Sequence, residues 1–154
     1  MSGKGYVTLG AFELLKGELG LSVDVFDPSM TDGELVSDEF ELWSRLADEF
    51  QLAENPNELD FSSEDILGCS SSIAKPGWEK FTESLSVDEV IRLIRLATLA
   101  EMRYASMQCG AKSPVIKLVK ILKSKSAFSD ELQKWIKSVT TNRYLPHGDL
   151  MDML

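Results

Sequence analysis

The sequence predicts an all-α protein, a single-domain helical bundle of five to seven helices built on a central buried helix near residues 87–108. Three observations carry that expectation. Apolar residues recur at three- and four-residue steps along nearly the whole of the 154-residue chain, which is the spacing of a helix face. Only Ser22 to Phe26 alternates apolar and polar residues as a strand does, and one short strand cannot make a sheet. Residues 87–108 are apolar around most of a helical circumference, as befits an element enclosed by others.

Leu9, Phe12, Leu15 and Leu19 make a first helical face, weakened by Gly10 and Gly17. Asp27-Pro28 and Asp32-Gly33 mark a loop after the strand-like stretch. A second helix is expected from about Asp38 to Ala53, burying Phe40, Trp43, Leu46, Ala47 and Phe50 and turning Glu39, Glu41, Asp48 and Glu49 outward or to the flank. Asn55-Pro56-Asn57 stops it. Ser62 to Asp65 supplies a capping oxygen and first-turn carboxylates for a short helix around Ile66 to Cys69. Ser70-Ser71-Ser72 and Lys75-Pro76-Gly77 bound a connection, and Trp78, Phe81 and Leu85 suggest another short helical piece.

Ser86-Val87-Asp88-Glu89 is a capping box, in which the Ser86 hydroxyl accepts from the Glu89 amide and the Glu89 carboxylate returns to the Ser86 amide. It opens the central helix, whose Val90, Ile91, Leu93, Ile94, Leu96, Ala97, Leu99 and Met102 leave room for only a narrow stripe with Arg92, Arg95 and Arg103. Pro114, at a first-turn position, starts the next helix, with Val115, Leu118, Val119 and Leu122 on one face and Lys117, Lys120 and Lys123 on the other. Ser129 caps a last regular helix through Leu132, Trp135, Ile136 and Val139. Pro146 and Gly148 keep the following tail from being helical, and Asp149 to Leu154 is expected to form one final amphipathic turn.

The charge is steeply divided. Residues 1–89 carry 20 Asp/Glu against 5 Lys/Arg, a net −15, whereas residues 90–154 carry 5 against 11, a net +6 within the overall −9. Such polarity implies either that the halves pack on each other or that a face is offered to a partner of opposite sign. The length suits one domain, acidic over 1–89 and basic over 90–154, and able to bury roughly 70% of its unfolded surface. The beginning MSGKGYVTLG has no signal-like apolar run, no stretch approaches the ~18 apolar residues of a membrane span, and the two cysteines, Cys69 and Cys109, are isolated. Together these predict a cytoplasmic protein with reduced thiols and no membrane association.

Trp135-Ile136-Lys137, followed by Asn142-Arg143-Tyr144-Leu145-Pro146 and Gly148, resembles the ending of small uncharacterised proteins of gamma-proteobacteria. The resemblance covers roughly the last 40 residues. It implies a bacterial cytoplasmic origin and no particular activity.

The candidate chemistry is sparse. His147 is the only histidine, so any Ser-His-Asp, Cys-His or His-zinc arrangement would have to recruit a residue held between proline and glycine. Gly3-Lys4-Gly5 lacks the spacing of a phosphate-binding loop. Asp24, Asp27 and Asp32 miss the alternation of a calcium loop. No cofactor is expected. Lys112, Lys117, Lys120, Lys123 and Lys125 form a basic cluster that Arg92, Arg95 and Arg103 are in a position to extend. Without aromatic residues between 105 and 127 the cluster offers no base-stacking platform, which makes nucleic acid the weaker partner. Between Asp24 and Asp65, 14 carboxylates face one basic residue, Arg45, a density that serves either solubility or mimicry of a phosphate backbone. Arg143, Tyr144 and His147 surround a proline turn and combine contact area with directional hydrogen bonding, as interface anchors do.

These features predict a small non-catalytic protein-binding or regulatory protein acting through charged surfaces. An acidic inhibitor, immunity protein or nucleic-acid mimic is the first alternative, and a carboxylate-dependent enzyme the second.

Overall fold

A computed structural model describes residues 33–148. Among these residues there are six α-helices and no strand: α1 (Ser37–Glu49), α2 (Ser63–Ser72), α3 (Trp78–Thr82), α4 (Val87–Arg103), α5 (Pro114–Ser124) and α6 (Asp130–Val139). Short 3-10 turns lie at Pro56–Glu58, Ala105–Met107 and Gly110–Lys112. Of the described residues, 34–148 belong to one compact unit. The helix expected over 6–19, the strand-like Ser22 to Phe26, Asp24, Asp27 and Asp32, and the turn expected over 149–154 lie outside the described residues.

The capping box of α4 forms as its spacing predicts, with Glu89 N–H donating to Ser86 Oγ at 3.2 Å and Ser86 N–H to Glu89 Oε1 at 2.9 Å. α4 buries Val90, Leu93, Ile94, Leu96, Ala97, Leu99 and Ala100, and packs against α1, α5 and α6. It is the central helix of the bundle. Its end differs from expectation, falling at Arg103 rather than near Gln108. Tyr104 adopts an extended backbone so that its ring lies 5.1 Å from that of Phe61 and its hydroxyl accepts from Phe61 N–H at 2.9 Å. The Ala105–Met107 turn that follows buries Met107 completely. Tertiary contacts override helical continuation here.

Two other boundaries shift for similar reasons. α1 stops at Glu49 instead of Ala53, where Phe50 leaves the helix to pack 5.4 Å from Phe61. α2 extends through the serines expected to be a connection. Ser72 turns inward, donating to Gly68 O at 2.8 Å and accepting from Trp43 Nε1 at 3.0 Å, so its hydroxyl is satisfied in the core. At Gly77 the chain requires glycine: φ is +101°, and a Cβ would lie 3.0 Å from Glu34 Cβ and 3.3 Å from Leu35 N.

α5 begins at Pro114 as predicted, with Ser113 Oγ accepting from Val115 N–H, and α6 begins at its predicted cap, with Ser129 Oγ accepting from Leu132 N–H. α5 packs on α3 and α4. Beyond α6 the tail is a run of turns with a cis Leu145–Pro146 bond, Leu145 buried, and Gly148 at φ +92°.

Candidate functional site: a cleft at the foot of the central helix

The last turn of α4 places a carboxylate on the helix's buried side. Glu101 follows Ile94 by seven positions and Ala97 by four, which returns it to their face. It is 2% exposed. Ser113 Oγ donates to Glu101 Oε2 at 2.5 Å while accepting from Val115 N–H at 3.2 Å, so one hydroxyl both caps α5 and binds the carboxyl. From the tail, Asn142 Nδ2 donates to Gly110 O at 3.0 Å and lies 3.4 Å from Glu101 Oε1. Burial pushes the Glu101 carboxyl up to about 7, against the opposing pull of the Ser113 and Asn142 hydrogen bonds.

Around this carboxyl lies a cleft of about 290 Å³, lined by Glu101, Met102, Gln108, Cys109, Gly110 and residues 140–143. Thr141 N–H donates to Met102 Sδ at 3.4 Å. Cys109 is a free, half-buried thiol pushed up to about 12, first by burial and then by the Glu101 charge, so it is not a thiolate nucleophile at neutral pH. Cys69 is likewise free, fully buried and pushed up to about 12, chiefly by burial.

The tail turn forms one wall. Asn142 Oδ1 accepts from Tyr144 N–H at 3.0 Å, and Asn142 N–H donates to Thr140 Oγ1 at 3.0 Å. This arrangement leaves Arg143 exposed on the rim, its guanidinium 5.2 Å from the Tyr144 ring centroid and donating to the Tyr144 hydroxyl at 3.3 Å. Tyr144 is half-buried against the core. His147 is turned elsewhere: its Nδ1 lies 2.8 Å from Lys123 Nζ, and its ring meets Phe128 edge-on at 6.0 Å. Burial first, then the charges of Lys123 and Lys137, hold the imidazole below its ordinary value of 6.5. A neutral ring accepting from Lys123 follows.

The predicted charged residues are dispersed, and many are used internally. Glu39, half-buried, accepts from Lys75 Nζ at 2.7 Å and caps Val36 N–H at 3.0 Å. Asp48 faces Arg92 at 3.5 Å, Glu49 pairs with Arg45 at 3.5 Å, and Glu41 is exposed. Lys117 is 3.7 Å from Glu79, Lys120 is exposed, Lys123 sits over the Phe128 ring as well as at His147, and Lys125 donates to Leu85 O. Lys80 pairs with Glu34. The arginines do not extend the lysine cluster as expected. Arg92 reaches Asp48, Arg95 reaches Ala53 O and Glu54, and Arg103 reaches Leu59 O, all three binding the acidic segment instead. Acidic side chains attract Arg92 and Arg95 there, and Arg95 gains Trp135 as a cation–π partner at 4.9 Å.

Glu101, Ser113, Asn142 and Cys109 escaped the reading of candidate site residues. A signal for Glu101 was present: it is the only carboxylate between Glu89 and Asp130, and it interrupts an otherwise apolar helix face. Nothing in the spacing marks its partners, which come from two other segments, the turn before α5 and the tail.

Among the described residues no group of three or more His, Cys, Asp and Glu is placed to hold a metal ion, and no helix is long and apolar enough to cross a membrane. No family model, curated protein or solved structure matches the chain.

Proposed function

We propose that this is a non-catalytic protein-binding module, of regulatory type, whose recognition surface is the Asn142–His147 turn together with the cleft it walls. The observation that carries the reading is the preorganisation of that turn. Asn142 is tied to Gly110, Thr140 and the Tyr144 amide, and the exposed Arg143 stands at the mouth of the cleft. A surface ordered before it meets its partner loses little conformational entropy on binding, so a few residues can supply much of the affinity. The resemblance of residues 135–148 to gamma-proteobacterial proteins directs the search to a bacterial cytoplasm.

The alternatives draw less support. A phosphate-backbone mimic needs an uninterrupted acidic face, and Arg45, Arg92 and Arg95 already stand among its carboxylates. A carboxylate enzyme needs a second acid or base beside Glu101, and among the described residues the cleft lining holds no other carboxylate and no histidine. A nucleic-acid partner is disfavoured because the lysines are drawn toward Glu79, Leu85 O and His147 rather than aligned on one open face.

The full chain used as bait in a bacterial lysate, at low and high salt, tests the reading. A stoichiometric protein partner is expected, and Arg143→Ala with Tyr144→Ala should abolish its capture while the variant still melts cooperatively. Because Tyr144 is half-buried, Arg143→Ala alone supplies the milder control that keeps the Tyr144 ring in place, with an expected tenfold or greater loss of affinity. Capture unchanged in both variants would place the interface elsewhere.

A further inference from the structure

We infer that the Glu101 cleft is a receptor for an alkylammonium group, supplied by a lysine side chain of the protein partner. The inference rests on the cleft being part of the binding surface and adds the chemistry of what enters it.

Glu101 is a buried carboxyl without a cationic partner among the described residues. Its hydrogen-bonding neighbours are a serine hydroxyl and an asparagine amide, both neutral donors. Arg92, Arg95 and Arg103 of its own helix are bound to Asp48, Ala53 O and Glu54, and Leu59 O. The charged groups of the neighbouring segments are Arg143 at the cleft rim and the exposed Lys112 before α5, and the cleft thiol, Cys109, is neutral at physiological pH. Burial alone accounts for the raised titration. A buried acid of this kind gains most from a ligand that brings one positive charge and several N–H donors into a confined space.

The rest of the lining suits that ligand. Met102 and the Cys109 side chain offer apolar surface to a methylene stem. The hydroxyls of Thr140 and Thr141 provide neutral acceptors in the same cleft, beside the Glu101 carboxylate itself. The recess is at the lower end of the size range of ligand pockets, which matches a side chain better than a large cofactor. The balance is simple: the protonated carboxyl and the ammonium ion give an ion pair, and one proton passes to solvent.

The probe is Nα-acetyl-lysine methylamide titrated into the full chain and followed by backbone amide NMR, with the Nε-acetylated compound as its neutral counterpart. Saturable shifts are expected at Gln108, Gly110 and Thr141 for the amine only. Affinity should rise about tenfold from pH 6 to pH 8, as a carboxyl titrating near 7 passes from mostly protonated to mostly ionised. Calorimetry in two buffers of different ionisation enthalpy should show nearly one proton released at pH 6 and little at pH 8. Glu101→Gln should remove both the binding and its pH dependence. Equal binding of the acetylated probe, affinity that does not change with pH, or absence of saturation would overturn the inference. Loss or retention of partner capture in the Arg143 variants is a separate result. It bears on the tail turn as an interface and leaves the amine titration to stand or fall by itself.

Discussion

Glu101 and His147 are held away from their ordinary titration ranges in opposite senses, and each leaves a mark on stability. The Glu101 carboxyl is raised from 4.5 to about 7 by burial. The folded state therefore binds the proton more tightly than the unfolded chain, and its stabilising contribution is complete below about 4.5 and lost as pH rises through 7. The shift corresponds to roughly 3 kcal/mol. Glu101→Gln should flatten the pH dependence of unfolding between 4.5 and 7 in denaturant titrations, and an unchanged slope would show that Glu101 does not set it. His147 acts the other way. Its pKa is lowered, so its contribution is present above the unfolded value of 6.5 and lost as pH falls through the lower folded value. Replacing Lys123 by Gln removes one of the charges that lower it and should move the imidazole resonance titration upward, which proton NMR measures directly.

At the scale of the element, helix starts obey local chemistry and helix ends obey neighbours. Ser62, Ser86 and Ser129 each accept a first-turn amide as their positions predict, and Ser113 does the same before Pro114. By contrast, α1 and α4 end where Phe50 and Tyr104 turn to meet Phe61. α4 is the element on which the others depend, since it touches α1, α5 and α6. Ile94, at 0% exposure, lies at its middle. Ile94→Asp should unfold the described bundle, because an uncompensated buried carboxylate costs several kcal/mol against a total stability of about 5–15 kcal/mol. Ile94→Val should cost about 0.5–1.5 kcal/mol and keep a cooperative melt. A native melting temperature in the aspartate variant would mean that α4 is peripheral.

Across the whole molecule the divided charge is resolved in part within the chain. Arg92 to Asp48, Arg95 to Glu54 and Lys117 to Glu79 join the basic half to the acidic one. All three are at least partly exposed, so each contributes little by itself and less in salt. Charge reversal at Lys117 and Lys120 should lower stability by no more than about 1 kcal/mol, most at low ionic strength, and the difference should shrink as salt is added. A loss that persists in high salt would point to packing by the Lys117 stem. Partner capture that survives this reversal but fails in Arg143→Ala would separate the basic helix from the proposed interface.

The sequence by itself determined the helical class, the central place of α4, the cap residues and the apolar faces, because these depend on spacing and on chemistry within a few positions. Asn142 to Gly148 was legible as a non-helical turn for the same reason, through Pro146 and Gly148. What only the tertiary structure decided is which charges meet and where the recess lies. Arg92, Arg95 and Arg103 are as consistent in sequence with the lysine cluster as with the acidic segment, and the docking of α1 and the 50–61 segment on α4 settles the choice. The Glu101 cleft required α4, the turn before α5 and the tail to converge, with Ser113 and Asn142 arriving 12 and 41 positions away from the carboxyl they bind. Periodicity records which face of a helix is buried. It carries no term for a polar group buried on that face, whose partners are chosen by long-range packing.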